Sequence, residues 1–347
     1  MITKSFEELY NTVEKIVIAA GTPQENARIV AHLLAGSHLA GHDSHGIQHL
    51  PRYIKEVRAG EIVVNACPQL LSETDSTALV RGNWAWGHVT ADLITKIGVR
   101  KARKTKIALI SGVEVNHIGR LGHYSEQAAK EGIITILASG GNAEEVATAA
   151  PFGGSRSVLS PNPISMGFPT SGDDPVIVDF ASTQVAGGKI AAAKAKGEKL
   201  PLGWIIDKHG NPSTSPDDYY AGGALVPFGA HKGFGIMVAM EIMGRVLSGA
   251  DAFSKTTCGG VHFRHCGVSL IAIDAGLFSS RDAFVERTTE LASRIRAVPP
   301  APGVAEVMSP GDFEHRMRIR RDRDGIQIPE STWSEIVQTA DSLGVRL

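Results

Sequence analysis

Between Leu39 and Tyr53 the chain reads Leu-Ala-Gly-His-Asp-Ser-His-Gly-Ile-Gln-His-Leu-Pro-Arg-Tyr, which gathers His42, Asp43, Ser44, His45, His49 and Tyr53 in one short run. Imidazole is the side chain that titrates nearest neutrality, so such a run suits reversible proton transfer at a carbon–oxygen bond. A second polar run, Asn116-His117-Ile118-Gly119-Arg120, falls between an apolar strand pattern and a helix pattern, where α/β proteins place their sites. His45 and His117 are the candidate acid/base residues. Asp179 ends the apolar strand Pro175-Val-Ile-Val and is followed at once by Phe180, Ala181, Ser182 and Thr183. It is either a turn cap or a third catalytic group.

The same histidines admit a metal reading. His38, His42, His45 and His49 would share one face of a continuous helix, and Cys258, His262, His265 and Cys266 offer a second ligand set. Gly41 and Gly46 weaken such a helix, and no carboxylate stands three residues before a histidine of either set. The expected metal is therefore none, with a zinc hydrolase as the reading outside proton chemistry. The plainest reading gives the histidines no chemistry, only helix capping and a polar interface.

These side chains need elements to hold them. Thr22-Pro-Gln-Glu25 has the form of a capping box and opens a helix with Ala27, Val30, Leu33 and Leu34 on one stripe, ending near Gly41. Asp43 or Ser44 then caps a second helix carrying Ile47, Leu50, Ile54 and Val57, with Pro51 tolerated in its first turns and His45 at its N-terminus. Unsatisfied amides there favour an anion and a neutral imidazole. The character changes near residue 75, where short strands and turns begin. Helices over 90–104 and 124–131 precede buried-strand patterns at 107–111 and 133–138, and residues 268–274 form a further strand. Residues 190–230 read as a surface excursion. His231-Lys232-Gly233 starts a helix through Leu247 that is apolar nearly all round and is expected to be buried, with an N-terminus suited to a phosphate.

Length and charge bound the class. The 347 residues allow two domains, and a net charge of −1 gives no basic field for nucleic acid or an anionic membrane. Cys67, Cys258 and Cys266 are scattered, which fits a reducing compartment. The first residues have no signal-peptide pattern, and no apolar run is long enough to span a bilayer. A cytoplasmic small-molecule enzyme is expected. Neither a Gly-x-Gly-x-x-Gly fingerprint nor a P-loop nor a Gly-x-Ser-x-Gly elbow is present.

Gly41-His-Asp-Ser-His-Gly with Pro51 and Tyr53, Asn116-His-Ile-Gly-Arg120, Asn162-Pro163, Asp179-Phe-Ala-Ser-Thr with Gly188-Lys189, Leu200-Pro-x-Gly-Trp204 and His231-Lys-Gly, in this order, resemble the malate/L-lactate dehydrogenase family. The resemblance implies a mixed α/β fold of non-Rossmann type, with a mixed, largely antiparallel sheet. It places a helical domain in residues 1–75 and 312–347 and a cofactor domain in 76–311, in a homodimer with its site near the subunit junction. It implies NAD or NADP as cofactor and a small 2-oxo or 2-hydroxy carboxylate as substrate. Ser44, His49, Tyr53, Arg120 and Lys189 would meet substrate, with Arg120 or Lys189 on its carboxylate. Asn142, Asn162, Pro163, Asp179, Ala181, Ser182, Lys232, Gly233, Pro310, Gly311 and Asp312 would line the cofactor. A cyclic imine-2-carboxylate reductase is the alternative within the family, and a binding protein without catalysis the alternative on the scaffold. Many members carry arginine where this chain has His49; that departure resembles the hydroxycarboxylate dehydrogenase branch and favours a larger or differently anchored side chain on the substrate.

Overall fold

The computed structural model describes residues 1–141, 143–172, 174–254 and 258–347. In chain order the first elements are β1 (Ile2–Lys4), α1 (Phe6–Ala19), α2 (Gln24–Leu39), α3 (Leu50–Arg58), β2 (Gln69–Glu73), β3 (Thr77–Arg81), α4 (Gly87–Thr105) and β4 (Ile107–Val113). There follow α5 (Gly122–Lys130), β5 (Ile133–Gly140), β6 (Ile164–Phe168), β7 (Val176–Phe180), α6 (Gly187–Lys196), β8 (Ile205–Ile206), β9 (Pro212–Ser213), α7 (Pro216–Tyr220) and β10 (Ala224–Leu225). The last are α8 (His231–Glu241), α9 (Gly260–Phe263), β11 (Gly267–Asp274), α10 (Arg281–Arg296), α11 (Asp312–Asp324), β12 (Ile326–Ile328) and α12 (Glu330–Asp341).

Seven strands form one sheet in the order β2-β3-β4-β11-β5-β6-β7. Only β3 and β4 run parallel; the other neighbours are antiparallel, with Leu270 opposite both Ile110 and Leu137. This is the mixed, largely antiparallel α/β fold expected. The two faces follow the period of two in a strand. Val268, Leu270 and Ala272 of β11 join Ile94 and Ile97 of α4 in one core, while Ser269 between them donates to the Met243 carbonyl on the other side at 2.8 Å. Helices α4 and α5 thus cover one face, and α8 with the turn after it covers the other.

A separate core joins the beginning and the end of the chain. Val13, Ile16, Val30, Leu34, Leu50 and Tyr53 pack with Ile326, Ile328, Ile336 and Ala340, and β1 pairs antiparallel with β12. Pro51 sits in the first turn of α3, where it deprives the helix of no amide it could use.

Four local expectations are corrected. Thr22 does not cap α2, which begins behind Pro23; its hydroxyl accepts the Trp86 indole N–H at 2.9 Å. The run after Gly41 is no single helix either. It makes two short 3₁₀ turns, Asp43–His45 and Ile47–His49, before α3, so the histidines do not share a face and His49, not His45, stands at the helix entrance.

The stretch after His231 is not buried all round. Helix α8 passes into a π turn, Ile242–Val246, that leaves Ile242, Val246 and Leu247 at 51%, 62% and 53% exposure. Gly244 explains the turn: a methyl there would fall 2.3 Å from the Gly140 amide nitrogen, so the backbone presses directly on the sheet. Residues 190–230 are more than an excursion, since Ile190, Leu200, Ile205 and Leu225 form a small core with Val185 and Met237. Among the described residues no helix is long and apolar enough to cross a membrane.

Candidate active site

Helix α2 ends at Leu39 with Ala40 as its cap, and Gly41 turns the chain at φ +86°. A side chain at Gly41 would meet Phe313 and Met317 at 2.9 Å, so the loop lies against α11. Helix α11 grips the next two residues. His42 Nε2 meets Glu314 Oε1 at 2.6 Å, and Asp43 accepts two bonds from Arg321, which also donates to the His38 carbonyl. From behind, His38 Nδ1 accepts the Ile47 amide at 3.0 Å. A methyl at Gly46 would fall 1.7 Å from that nitrogen, so glycine is required there. His38 is therefore a structural histidine, and the loop is fixed on both sides.

Thus held, Ser44 Oγ lies 3.2 Å from His45 Nδ1. The His45 ring stacks on that of His117, centroids 6.0 Å apart at 19°. His117 comes from the loop after β4, pinned by Asn116, whose amide donates to the Trp84 and Ala85 carbonyls at 2.8 and 3.0 Å. Gly87 accommodates this loop, since a methyl there would meet the Asn116 carbonyl at 2.2 Å. His117 Nδ1 is 2.6 Å from the hydroxyl of buried Tyr53. His49 closes the group, 5.5 Å from His117 and 6.2 Å from His45 between ring centroids. The sequence-predicted Ser44, His45, His49, Tyr53 and His117 are therefore brought together.

Burial keeps these rings neutral. Desolvation lowers the pKa of His45 to about 3 and of His49 to about 4, holds His117 well below its ordinary value, and raises Tyr53. Each histidine presents an unprotonated nitrogen near neutral pH.

Arg120 lies beside this group and is 4% exposed. One of its terminal nitrogens donates to Glu126 Oε1 at 2.9 Å, while Nε and the other terminal nitrogen have no partner among the described residues. Burial opposes the charge on Glu126, but Arg120 and Arg318 hold its pKa down at about 2. Asp179 accepts the Gly122 amide at 2.8 Å at the start of α5, where burial raises its pKa against the pull of Arg120. A methyl on Gly122 would meet both Asp179 and Arg120 at 2.7 Å, so the two charged groups converge there. Among the described residues Asp179 makes no hydrogen bond to either histidine. Gly188, at the start of α6, abuts Ser44, a methyl there lying 3.2 Å from its Cβ. The next residue, Lys189, is exposed.

The residues expected around the cofactor form two groups. Asn162, in a left-handed conformation at φ +33°, donates to the Met237 carbonyl and Glu241 Oε2, both at 3.0 Å, and its buried Oδ1 is unpartnered among the described residues. Ser182 donates to the Pro161 carbonyl at 2.6 Å, and the Pro163 carbonyl accepts the Ser139 amide at 3.3 Å. Ala181 is half-buried beside Ser182, Gly233 is buried in the first turn of α8, and Lys232 is exposed next to it. Asn142 lies outside the described residues; the amide of its neighbour Gly141 donates to Glu241 Oε2 at 2.9 Å. The second group is on the sheet edge. The Pro310 carbonyl accepts the Ile177 amide at 3.1 Å, and Gly311 adopts φ +101°. Asp312 is engaged by Arg296 Nε at 2.9 Å and the Ser309 amide at 2.7 Å.

Sequence reasoning missed Glu241, Glu126, Glu314 and the arginines of α11. For Glu241 a signal existed, because it is the lone carboxylate in the apolar run after Gly235.

His38 and His88 are 2% and 1% exposed, and desolvation lowers them to about 4 and about 3. A histidine whose folded pKa is depressed contributes stability that is present above its unfolded value of about 6.5 and lost as pH falls below it. The unfolded chain takes up the proton first. For this pair the loss reaches about 5 kcal/mol by pH 4.5, comparable with a typical domain stability. Circular dichroism against pH is expected to show unfolding beginning below pH 6.5 and complete above pH 4. A fold unchanged at pH 4 would mean that these imidazoles charge without opening the structure.

Residues 4–337 match the family model described as malate/L-lactate dehydrogenase. The malate/(S)-sulfolactate dehydrogenase of Methanothermus fervidus is 33% identical, over 98% of either chain. Hydroxycarboxylate dehydrogenase B of Escherichia coli O157:H7 is 29% identical, over 98% of this chain and 94% of its own. Among solved structures, malate dehydrogenase from Entamoeba histolytica superposes with a TM-score of 0.92 at 26% identity, covering 100% of this chain and 99% of its own.

Proposed function

Since the chain belongs to the malate/L-lactate dehydrogenase family, we propose that it moves a hydride reversibly between NAD(P) and C2 of a 2-hydroxy or 2-oxo carboxylate, with a histidine exchanging the hydroxyl proton. The observation that carries this reading is the pairing of a buried arginine that has donors to spare with neutral histidines beside it. Nε and the free terminal nitrogen of Arg120 lie on different sides of the guanidinium and are charged donors left over for a carboxylate oxygen. Lys189 and the start of α6, against Ser44, add positive potential at the same end.

In the oxidative direction the neutral imidazole of His45 or His117 accepts the hydroxyl proton from oxygen as the hydride leaves C2; reduction runs the reverse. Ser44 on His45 Nδ1 and Tyr53 on His117 Nδ1 leave Nε2 of either ring for this exchange. For His117 this is the tautomer whose Nδ1–H donates to the Tyr53 hydroxyl oxygen, which leaves Nε2 unprotonated. A carboxylate bound at Arg120 raises the proton affinity of a nearby imidazole, which favours the imidazolium needed for reduction.

The nicotinamide cofactor, when bound, supplies or accepts the hydride. Asn162 offers its unpartnered Oδ1, Ser182 and Pro163 lie along the same strand ends, and Lys232 with Gly233 opens α8. Asp312 acts by holding its turn against Arg296. The same reading takes the enzyme as a cytoplasmic homodimer, which the three free thiols and the exposed Ile242, Val246 and Leu247 support.

The test is absorbance at 340 nm with NADH or NADPH, a panel of 2-oxo acids and one cyclic imine carboxylate. The expected result is cofactor oxidation with at least one 2-oxo acid. Oxidation with the imine alone would replace this reading by imine reduction, and a flat trace with stoichiometric zinc in the protein would replace it by a hydrolase.

A further inference from the structure

Arg120 stands among carboxylates and yet keeps donors free. Glu126, Asp179 and Glu314 all bear on its charge, but each of them is also held by a second group. Asp179 Oδ2 accepts the Gly122 amide at 2.8 Å, and Glu314 Oε1 meets His42 Nε2 at 2.6 Å. Buried Glu126 is divided between two arginines. Its Oε1 accepts Nη2 of Arg120 at 2.9 Å, and its Oε2 accepts Nη2 of Arg318. Nε and Nη1 of Arg120 have no partner among the described residues. Arg318 reaches Glu126 from α11, where Glu314, Arg318 and Arg321 stand four and three residues apart and so share one face of the helix.

We infer that Arg318 is a positioning residue for the substrate carboxylate: by occupying one oxygen of Glu126 it keeps Arg120 tied to the other by a single bond, with charged donors left over for the substrate. The inference rests on the reading of Arg120 as the carboxylate anchor of a 2-oxo acid dehydrogenase. A buried carboxylate oxygen without a donor is costly, and the two oxygens of a carboxylate match two adjacent N–H groups of one guanidinium. Without Arg318, Glu126 Oε2 turns to Arg120 and consumes Nε or Nη1 beside the nitrogen already engaged. The substrate then loses a donor and meets an arginine whose charge is more fully neutralised. One face of α11 thus serves both halves of the site, the histidine loop through Glu314 and Arg321 and the anchor through Arg318.

The experiment measures kcat and KM for whichever of pyruvate, oxaloacetate and other 2-oxo acids the wild type reduces, in the wild type, Arg318→Met, Arg318→Lys and the double variant Glu126→Gln/Arg318→Met. Arg318→Met is expected to raise KM for the 2-oxo acid by about tenfold or more, the worth of one hydrogen bond to a charged group. Its kcat and its KM for the nicotinamide cofactor are expected to stay within about threefold of wild type, which a general loosening of the fold would not spare. Arg318→Lys, which keeps a charged donor on Glu126, is expected to recover most of the loss. The double variant is expected to return KM to the wild-type value or below, because the amide it carries keeps one acceptor for Arg120 and claims no second donor. If Arg318→Met does not fold, Arg318→Gln takes its place, its neutral donor holding Glu126 less firmly and raising KM by at least about threefold. An unchanged KM in the folded single variant, or a double variant no better than that single variant, overturns the role of Arg318 and leaves the dehydrogenase standing. A wild type that reduces no 2-oxo acid overturns the dehydrogenase reading and the inference with it.

Discussion

Replacing His45 by alanine is expected to lower turnover by about 100- to 10,000-fold if His45 is the acid/base group, the usual contribution of one positioned proton-transfer residue. The fold should survive, because the loop is held by His38, Asp43 and Gly46 and not by the His45 ring. His117→Ala is the matching variant. It leaves the Tyr53 hydroxyl buried without a partner, so part of its cost is structural, about 1 to 3 kcal/mol in stability. Steady-state rates against pH separate the two. The residue that exchanges the proton takes the acidic limb of kcat/KM for hydroxy acid oxidation with it, whereas a residue that only supports the ring stack leaves that limb in place. In the wild type this limb should lie below the ordinary histidine value, since burial lowers both pKa values. Near-normal rates in both variants would remove the histidines from the chemistry.

Replacing Arg120 by methionine is expected to reduce kcat/KM for a 2-oxo acid by about 30- to 5,000-fold, the range for losing one partner of a buried charge pair. KM should rise and kcat should fall, because the guanidinium that binds the carboxylate also fixes C2 against the histidine. Glu126 keeps Arg318, so the neighbouring helix retains one ion pair. Arg120→Lys should fall between, since ammonium keeps the charge and loses the planar guanidinium that holds Glu126 and the substrate at once. Free guanidinium added to Arg120→Ala should restore part of the rate. An Arg120→Met enzyme with unaltered KM would assign the carboxylate elsewhere, Lys189 being the next cation to replace.

What the sequence made legible follows the range of the forces involved. Strands β5 and β11 were readable because Ile133-Ile-Thr-Ile-Leu and Val268-Ser-Leu-Ile-Ala-Ile carry their burial in adjacent residues. The histidine run was legible as chemistry by residue type alone. How it is held was not, since Glu314 lies 272 residues from His42 and Arg321 lies 278 from Asp43. Thr22 failed as a cap for the same reason, its hydroxyl being claimed by Trp86 across 64 residues. The π turn at Ile242–Val246 depends on how closely Gly244 approaches the sheet, which no local pattern encodes. The mixed, largely antiparallel character of the sheet and the expected cofactor residues entered through the family resemblance and not through periodicity, and neither gave the order of the seven strands.

The grip of α11 on the loop after α2 also sets when the enzyme can become active. A ribosome adding about 5 to 20 residues per second needs about 14 to 54 s to travel the 272 residues from His42 to Glu314. For most of that interval α2 and the histidine run are clear of the ribosome while their clamp has not been made. Catalytic competence is therefore a late event in the birth of this molecule. A premature stop between Asp179 and Glu314 releases a chain with every candidate acid/base side chain present and the hold of α11 on the loop missing.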